Sequence, residues 1–152
     1  EALDKKTAKA EILALADHQE KEYGSYVDTS ADDTVARLLK GYYQHSNASV
    51  RYGVTAKDII AELVKGDLVL APCQGQRLGN PNFTLPGPER HMLVIRGYDP
   101  ATDELITNDP GTRLGEGYRY KSGVLMYAIL DYPTGDHEPI VKEEKNVIVV
   151  GK

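Results

Sequence analysis

A histidine and an aspartate become a base and its orienting carboxylate when a hairpin sets them side by side, and the spacing of His91 and Asp109 predicts that arrangement. Residues 91–98 (HMLVIRGY) predict a strand, and residues 105–108 (LITN) predict its antiparallel return. Between them, Asp99-Pro100-Ala101-Thr102-Asp103 is turn chemistry: proline presets φ and the aspartates bond local backbone. With Tyr98 opposite Glu104, His91 faces residues 109–111, and direct or diagonal neighbours there have Cβ atoms about 4.5–8 Å apart. A carboxylate at that range fixes an imidazole's tautomer and stabilises its protonated form. Two plainer readings stand beside this one: a polar pair at a sheet edge, and Asp109-Pro110-Gly111 as an ordinary turn.

The nucleophile is then the central question. Cys73 is the sole thiol, and Cys73, His91 and Asp109 follow the nucleophile–base–orienter order of papain-type enzymes. A reactive cysteine needs a histidine or a helix N-terminus to lower its pKa. Gln74-Gly75-Gln76 after Cys73 is loop-like and offers no such helix. Cys73 is therefore expected to be a small buried hydrophobe at a strand end, away from His91 and Asp109 and poorly reactive. His18, His45 and His137 are scattered over a helix, a loop and a polar tail, where solvated side chains are the expectation. With no His-Glu-x-x-His spacing and one cysteine, neither a metal site nor an organic cofactor is expected.

Composition narrows the class further. The chain has 152 residues and 16.7 kDa, so a single domain over residues 1–152 is expected. A hydrophobic fraction of 41% and a mean hydropathy of −0.43 fit a globular chain. A net charge of −5 and a pI near 5.4 argue against nucleic-acid partners, which call for a basic stripe. The longest apolar run, residues 124–130, is far below the roughly 20 residues that cross a bilayer, so no membrane span is expected. One cysteine excludes an internal disulfide.

The first half reads as helical. Ala8, Ile12, Leu15 and Ala16 share one face of a helix that Tyr23-Gly24 stops, and Thr29 or Ser30 caps a second helix with the stripe Val35, Leu38, Leu39, Tyr42 and Tyr43. Thr55-Ala56-Lys57-Asp58 resembles a capping box, opening a third helix that Gly66 ends. These stripes are expected to serve packing. Residues 68–71 form a continuous apolar run suited to a doubly buried strand, with Pro72 ending regular pairing. A glycine- and proline-rich loop over residues 74–90 follows and delivers His91. Strands are expected over residues 49–52, 118–120 and 146–150, with residues 124–130 open to helix or strand and 131–145 a surface connection. Helices first, then a mostly antiparallel sheet, make the chain α+β.

The segment His91-Met92-Leu93-Val94-Ile95-Arg96-Gly97-Tyr98-Asp99, followed by Thr107-Asn108-Asp109-Pro110, resembles the C-terminal half of the bacterial double-glycine (bacteriocin-processing-like) cysteine peptidases. Leu63-Val64-Lys65-Gly66, ahead of the buried strand, looks like that family's helix-to-strand entry. The resemblance covers about residues 65 to 131. It implies a papain-like α+β fold, with helices carrying a nucleophilic cysteine and a twisted antiparallel sheet carrying the base and its carboxylate. By resemblance His91 is the general base, Asp109 its orienter, and a peptide or protein the substrate. The same likeness favours a location outside the cytoplasm.

One departure shapes the reading. In that family the nucleophile opens a helix well before the histidine, with an upstream glutamine as oxyanion-hole donor. Cys73 lies too close to His91, and Gln74 and Gln76 follow it rather than precede it. The chain, which opens with Glu1, is therefore expected to be truncated just downstream of its own nucleophile helix and inactive alone. An apolar groove is expected near His91 where that helix would pack. The rivals are a catalytically inactive peptidase-like module that binds peptides or a protein partner, and an unusual hydrolase using Cys73.

Overall fold

Local capping chemistry sets the helices that flank the site. In the computed structural model, which describes residues 3–152, Asp4 caps helix α1 (Lys5–Tyr23), accepting from the Lys6 and Thr7 amides. Gly24, in the left-handed region at φ 76°, ends it. Thr55 and Asp58 complete the expected capping box of α3 (Ala56–Lys65), which Gly66 ends at φ 91°. Between these helices, α2 begins as one α-turn (Ala31–Asp33) capped by Ser30 and continues as a π-helix (Thr34–Tyr42). A last helix, α4 (Ser122–Ala128), resolves the open choice over the apolar run.

Six strands form one antiparallel sheet: β1 (Ala48–Arg51), β2 (Leu68–Cys73), β3 (His91–Asp99), β4 (Glu104–Asn108), β5 (Glu116–Lys121) and β6 (Val147–Val150). Their order across the sheet is β1-β6-β2-β3-β4-β5. The chain is thus α+β, as its pattern indicates. One face, with Val69, Ala71, Leu93, Ile95 and Leu105, packs under α3 and α4 through Ile59, Leu125 and Ala128. The other face carries Ile148, Leu70 and Met92, partly covered by Ala31, Val35 and Leu39 of α2.

Three expectations are corrected here. Ile12 on α1 is 67% exposed and the buried side chain of that helix is Gln19, so the apolar stripe of α1 does not seat in the core. Pro72 does not end pairing: β2 runs on, with Pro72 opposite Met92 and Cys73 opposite His91. Proline is tolerated because β6 pairs only with Leu68–Leu70, so no neighbouring strand needs the missing N–H. The Pro72 carbonyl instead accepts from the Leu130 amide at 3.0 Å. Finally, Glu104 pairs with Asp99, not Tyr98, one residue off the expected register. A β-bulge between Ile95 and Gly97 takes up that residue, so Ile95 faces Thr107 as expected and the far end of the hairpin is unchanged.

Candidate active site

His91 opens β3 and Asp109 follows the last residue of β4. Because the bulge restores the register, the two side chains meet: His91 Nε2 lies 2.7 Å from Asp109 Oδ1. Both residues are buried. The turn after β4 holds the carboxylate in place. Gly111 N–H donates to Asp109 Oδ1 at 2.9 Å, and the Asp109 amide donates to the Gly115 carbonyl at 2.9 Å. This turn tolerates no side chain at its two closest points. A Cβ on Gly115 would stand 1.8 Å from the Asp109 carbonyl oxygen, and one on Gly111 would stand 3.0 Å from His91 Cε1.

The electrostatics follow from this cage. Burial pushes the Asp109 carboxyl up, but hydrogen bonds from His91, Tyr120 and the Gly111 amide outweigh it and hold the group below its ordinary value. Asp109 is therefore ionised near neutral pH and can only accept. His91 Nε2 must carry the hydrogen, which leaves Nδ1 as the free lone pair. No hydrogen-bond partner for Nδ1 exists among the described residues. A neutral imidazole in this tautomer can take a proton at Nδ1 while Asp109 stabilises the imidazolium that results.

Cys73 is not away from this pair. It sits directly across the β2–β3 ladder from His91, because β2 continues through Pro72. Its side chain is nonetheless enclosed in the core and donates to the Ala71 carbonyl at 3.4 Å. Burial first, and the Asp109 charge second, push the thiol well above its ordinary value, with Lys145 opposing weakly. A nearby histidine does not activate a thiol kept in its neutral form. Gln74 caps the short 3-10 turn Gly75–Leu78 through the Arg77 amide, and Gln76 reaches toward the Gly87 carbonyl at 3.5 Å.

Sequence reasoning missed three side chains around the pair. Tyr120 on β5 donates to Asp109 Oδ2 at 2.6 Å, and Asn80 Nδ2 donates to the Tyr120 oxygen at 2.7 Å. Phe83 meets the His91 ring edge-on, with centroids 5.5 Å apart. Gly111, which the hairpin register does place opposite His91, leaves room for both rings: a Cβ there would stand 2.8 Å from Phe83 Cε1. Asn80 and Phe83 come from the glycine- and proline-rich loop over residues 74–90 that delivers His91, but no local pattern singles them out. Tyr120 reads only as a strand residue.

The remaining histidines have other surroundings. His18 packs on Tyr42, His45 Nε2 bonds the Gly151 carbonyl at 3.0 Å, and His137 sits beside Asp136 and Asp28. Asp28, Asp136 and His137 bring possible ligand atoms within 4.8 Å of one another. Arg90 already supplies the positive charge there, with Nη1 2.7 Å from Asp28 Oδ2. No described helix is long and apolar enough to cross a membrane. Along the strand ends that carry the site runs an open groove of about 590 Å³, lined by Leu70, Met92, Leu93, Val94, Asn108, Asp109, Pro110 and Glu116.

A family model described as the Peptidase_C39 like family matches residues 1–132. The chain belongs to that family. No curated protein matches it. Among solved structures, a candidate C39-like peptidase from Bacillus anthracis aligns at 15% identity with a TM-score of 0.56, over 86% of this chain and 63% of that one. At that identity the likeness concerns the fold, which is that of a C39-like peptidase. The chain thus spans less than two thirds of this relative's length. The C39-like family gives the His91–Asp109 geometry a setting in cysteine peptidase-like folds.

Proposed function

We propose that residues 1–152 are the base-bearing part of a thiol-dependent peptide-bond hydrolase, with His91 as general base and Asp109 as its orienting carboxylate. The observation that carries this reading is the 2.7 Å bond from His91 Nε2 to Asp109 Oδ1, which leaves Nδ1 without a partner. In the proposed reaction a cysteine thiol gives its proton to Nδ1 and the thiolate attacks the peptide carbonyl. The imidazolium then protonates the leaving amine, and the same ring draws a proton from water to release the acyl group. Asp109 stays ionised throughout and holds the ring in register.

Cys73 does not suit the attacking role, since it is enclosed, bonded to Ala71 and held in its neutral form. The nucleophile is therefore proposed to come from outside these residues, upstream of Glu1, on a segment that packs along the Leu70–Met92–Val94 groove. The substrate is a peptide or protein, and peptides with a double-glycine segment, the class the resemblance implies, are the first to assay.

The enclosure of Cys73 also favours a second reading, a peptidase-like module that binds peptides or a partner without cleaving them. Expression of the longer natural reading frame separates the two. Thiol-dependent cleavage that falls by about 10³-fold or more in His91→Ala supports the hydrolase. A well-folded longer protein that is inert, or that has no upstream cysteine, supports the binding module.

A further inference from the structure

Asp109 has two carboxylate oxygens, and the structure loads them differently. Oδ1 receives His91 Nε2 and the Gly111 amide, while Oδ2 receives the Tyr120 hydroxyl at 2.6 Å. Behind Tyr120 stands Asn80, whose Nδ2 donates to the phenol oxygen at 2.7 Å. The direction of this chain is not free. Asn80 Oδ1 accepts from the Asn82 amide at 2.9 Å, and a backbone N–H can only donate, so the other end of the Asn80 amide must be the donor. With that donor on its oxygen, the Tyr120 hydroxyl points its own hydrogen onward to Asp109. A backbone amide in the long loop thus fixes the polarity of every bond up to the carboxylate. The four side chains, His91, Asp109, Tyr120 and Asn80, are buried, so water does not offer an easy substitute for the bonds between them.

Resting on the reading of His91 as the base, we infer that Tyr120, backed by Asn80, is the positioning residue that orients the Asp109 carboxylate and thereby keeps the His91 proton on Nε2. Without the Tyr120 hydroxyl, Oδ2 is a buried oxygen with no donor, and the carboxylate gains by rotating or by drawing in water. Either movement loosens its grip on the imidazole. Burial and the bond to Asp109 push the Tyr120 hydroxyl above its ordinary value, so it remains a donor at working pH. Phe83 confines the ring itself but cannot choose which nitrogen is protonated, since its side chain has no polar group.

The test is ¹⁵N NMR of histidine-labelled protein, read on this chain without any cleavage assay. The wild type is expected to show His91 as a single Nε2–H tautomer, with the Nε2–H proton visible against exchange with water. In Tyr120→Phe that proton is expected to exchange at least about tenfold faster, and the ring nitrogens to shift toward a mixture of tautomers. The backbone amides of Ile95 and Leu105 should keep their protection, which a general loosening of the sheet would not allow. Wild-type His91 already in mixed tautomers, or an unchanged ring in Tyr120→Phe, overturns the inference. If Tyr120→Phe fails to fold, Asn80→Ala removes the donor behind the phenol and must move the ring in the same direction; an unchanged ring there is equally fatal. An inert longer protein whose His91 tautomer still depends on Tyr120 would sink the hydrolase reading and leave the positioning intact. Active enzyme with an insensitive tautomer would do the reverse.

Discussion

Asp109 is ionised inside the protein because three donors converge on it, and this ties the stability of the site to pH. Its carboxyl is held below the ordinary value in the fold, so its contribution is complete above the unfolded value of about 4. The contribution is lost as pH falls through the lower folded value. Asp109→Asn takes up no such proton. Chemical denaturation of the two proteins from pH 6 to pH 2 should therefore show the wild type more stable at the upper end and the gap narrowing below about pH 4. A gap that widens on acidification would contradict the cage described for Asp109. Cys73 gives a second check at this scale. A neutral, enclosed thiol reacts only when the chain opens, so labelling by a thiol reagent at neutral pH should track global unfolding and should not slow in His91→Ala. Fast labelling of the native protein, slowed by His91→Ala, would restore Cys73 as a nucleophile.

The turn between β4 and β5 is the element on which the site depends most tightly. A Cβ at Gly115 overlaps the Asp109 carbonyl, whereas one at Gly123, in the first turn of α4, meets nothing within 4 Å. Gly115→Ala should cost about 2 kcal/mol or more in urea denaturation and weaken the His91–Asp109 contact. Gly123→Ala should be neutral or stabilising by up to about 1 kcal/mol, because it removes backbone freedom from the unfolded chain. The hairpin of β3 and β4 explains what the sequence disclosed. His91 and Asp109 were legible because a short turn and period-2 alternation bring them together, and the one-residue error at Asp99 was cancelled by the bulge at Ile95–Gly97. Asn80, Phe83 and Tyr120 were not legible, since they reach the site through tertiary packing of a long loop and a further strand. Cys73 was misplaced for a related reason: Pro72 breaks a ladder only where a neighbour needs its N–H, and local sequence does not reveal how far β6 extends. Helicity over α2 was readable from Ser30 and the apolar stripe, but its π-helical winding was not.

Across the whole molecule, the sheet is held from both sides by unequal layers. Val69, Leu93, Ile95 and Leu105 lie under two helices, while the opposite face relies on α2 and leaves the groove beside Met92 and Val94 open. Ile148 of β6 is fully buried on that thinner side against Ala31 and Val35. Ile148→Ala should cost about 3 kcal/mol in equilibrium unfolding, with far-UV dichroism and tyrosine fluorescence changing together. A loss below about 1 kcal/mol would mean that α2 closes over the gap and is not a rigid cover. The place of β6 in the strand order has a consequence for how the protein comes into being. β6 lies between β1 and β2, so the stretch of these residues that a ribosome makes last occupies an inner position of the sheet. Until Val150 leaves the exit tunnel, β1 has no strand beside it and Leu68–Leu70 lacks one neighbour. The nascent chain must therefore keep two sheet edges unpaired from the making of β2 until β6 emerges, a period in which a chaperone that shields strand edges would matter most.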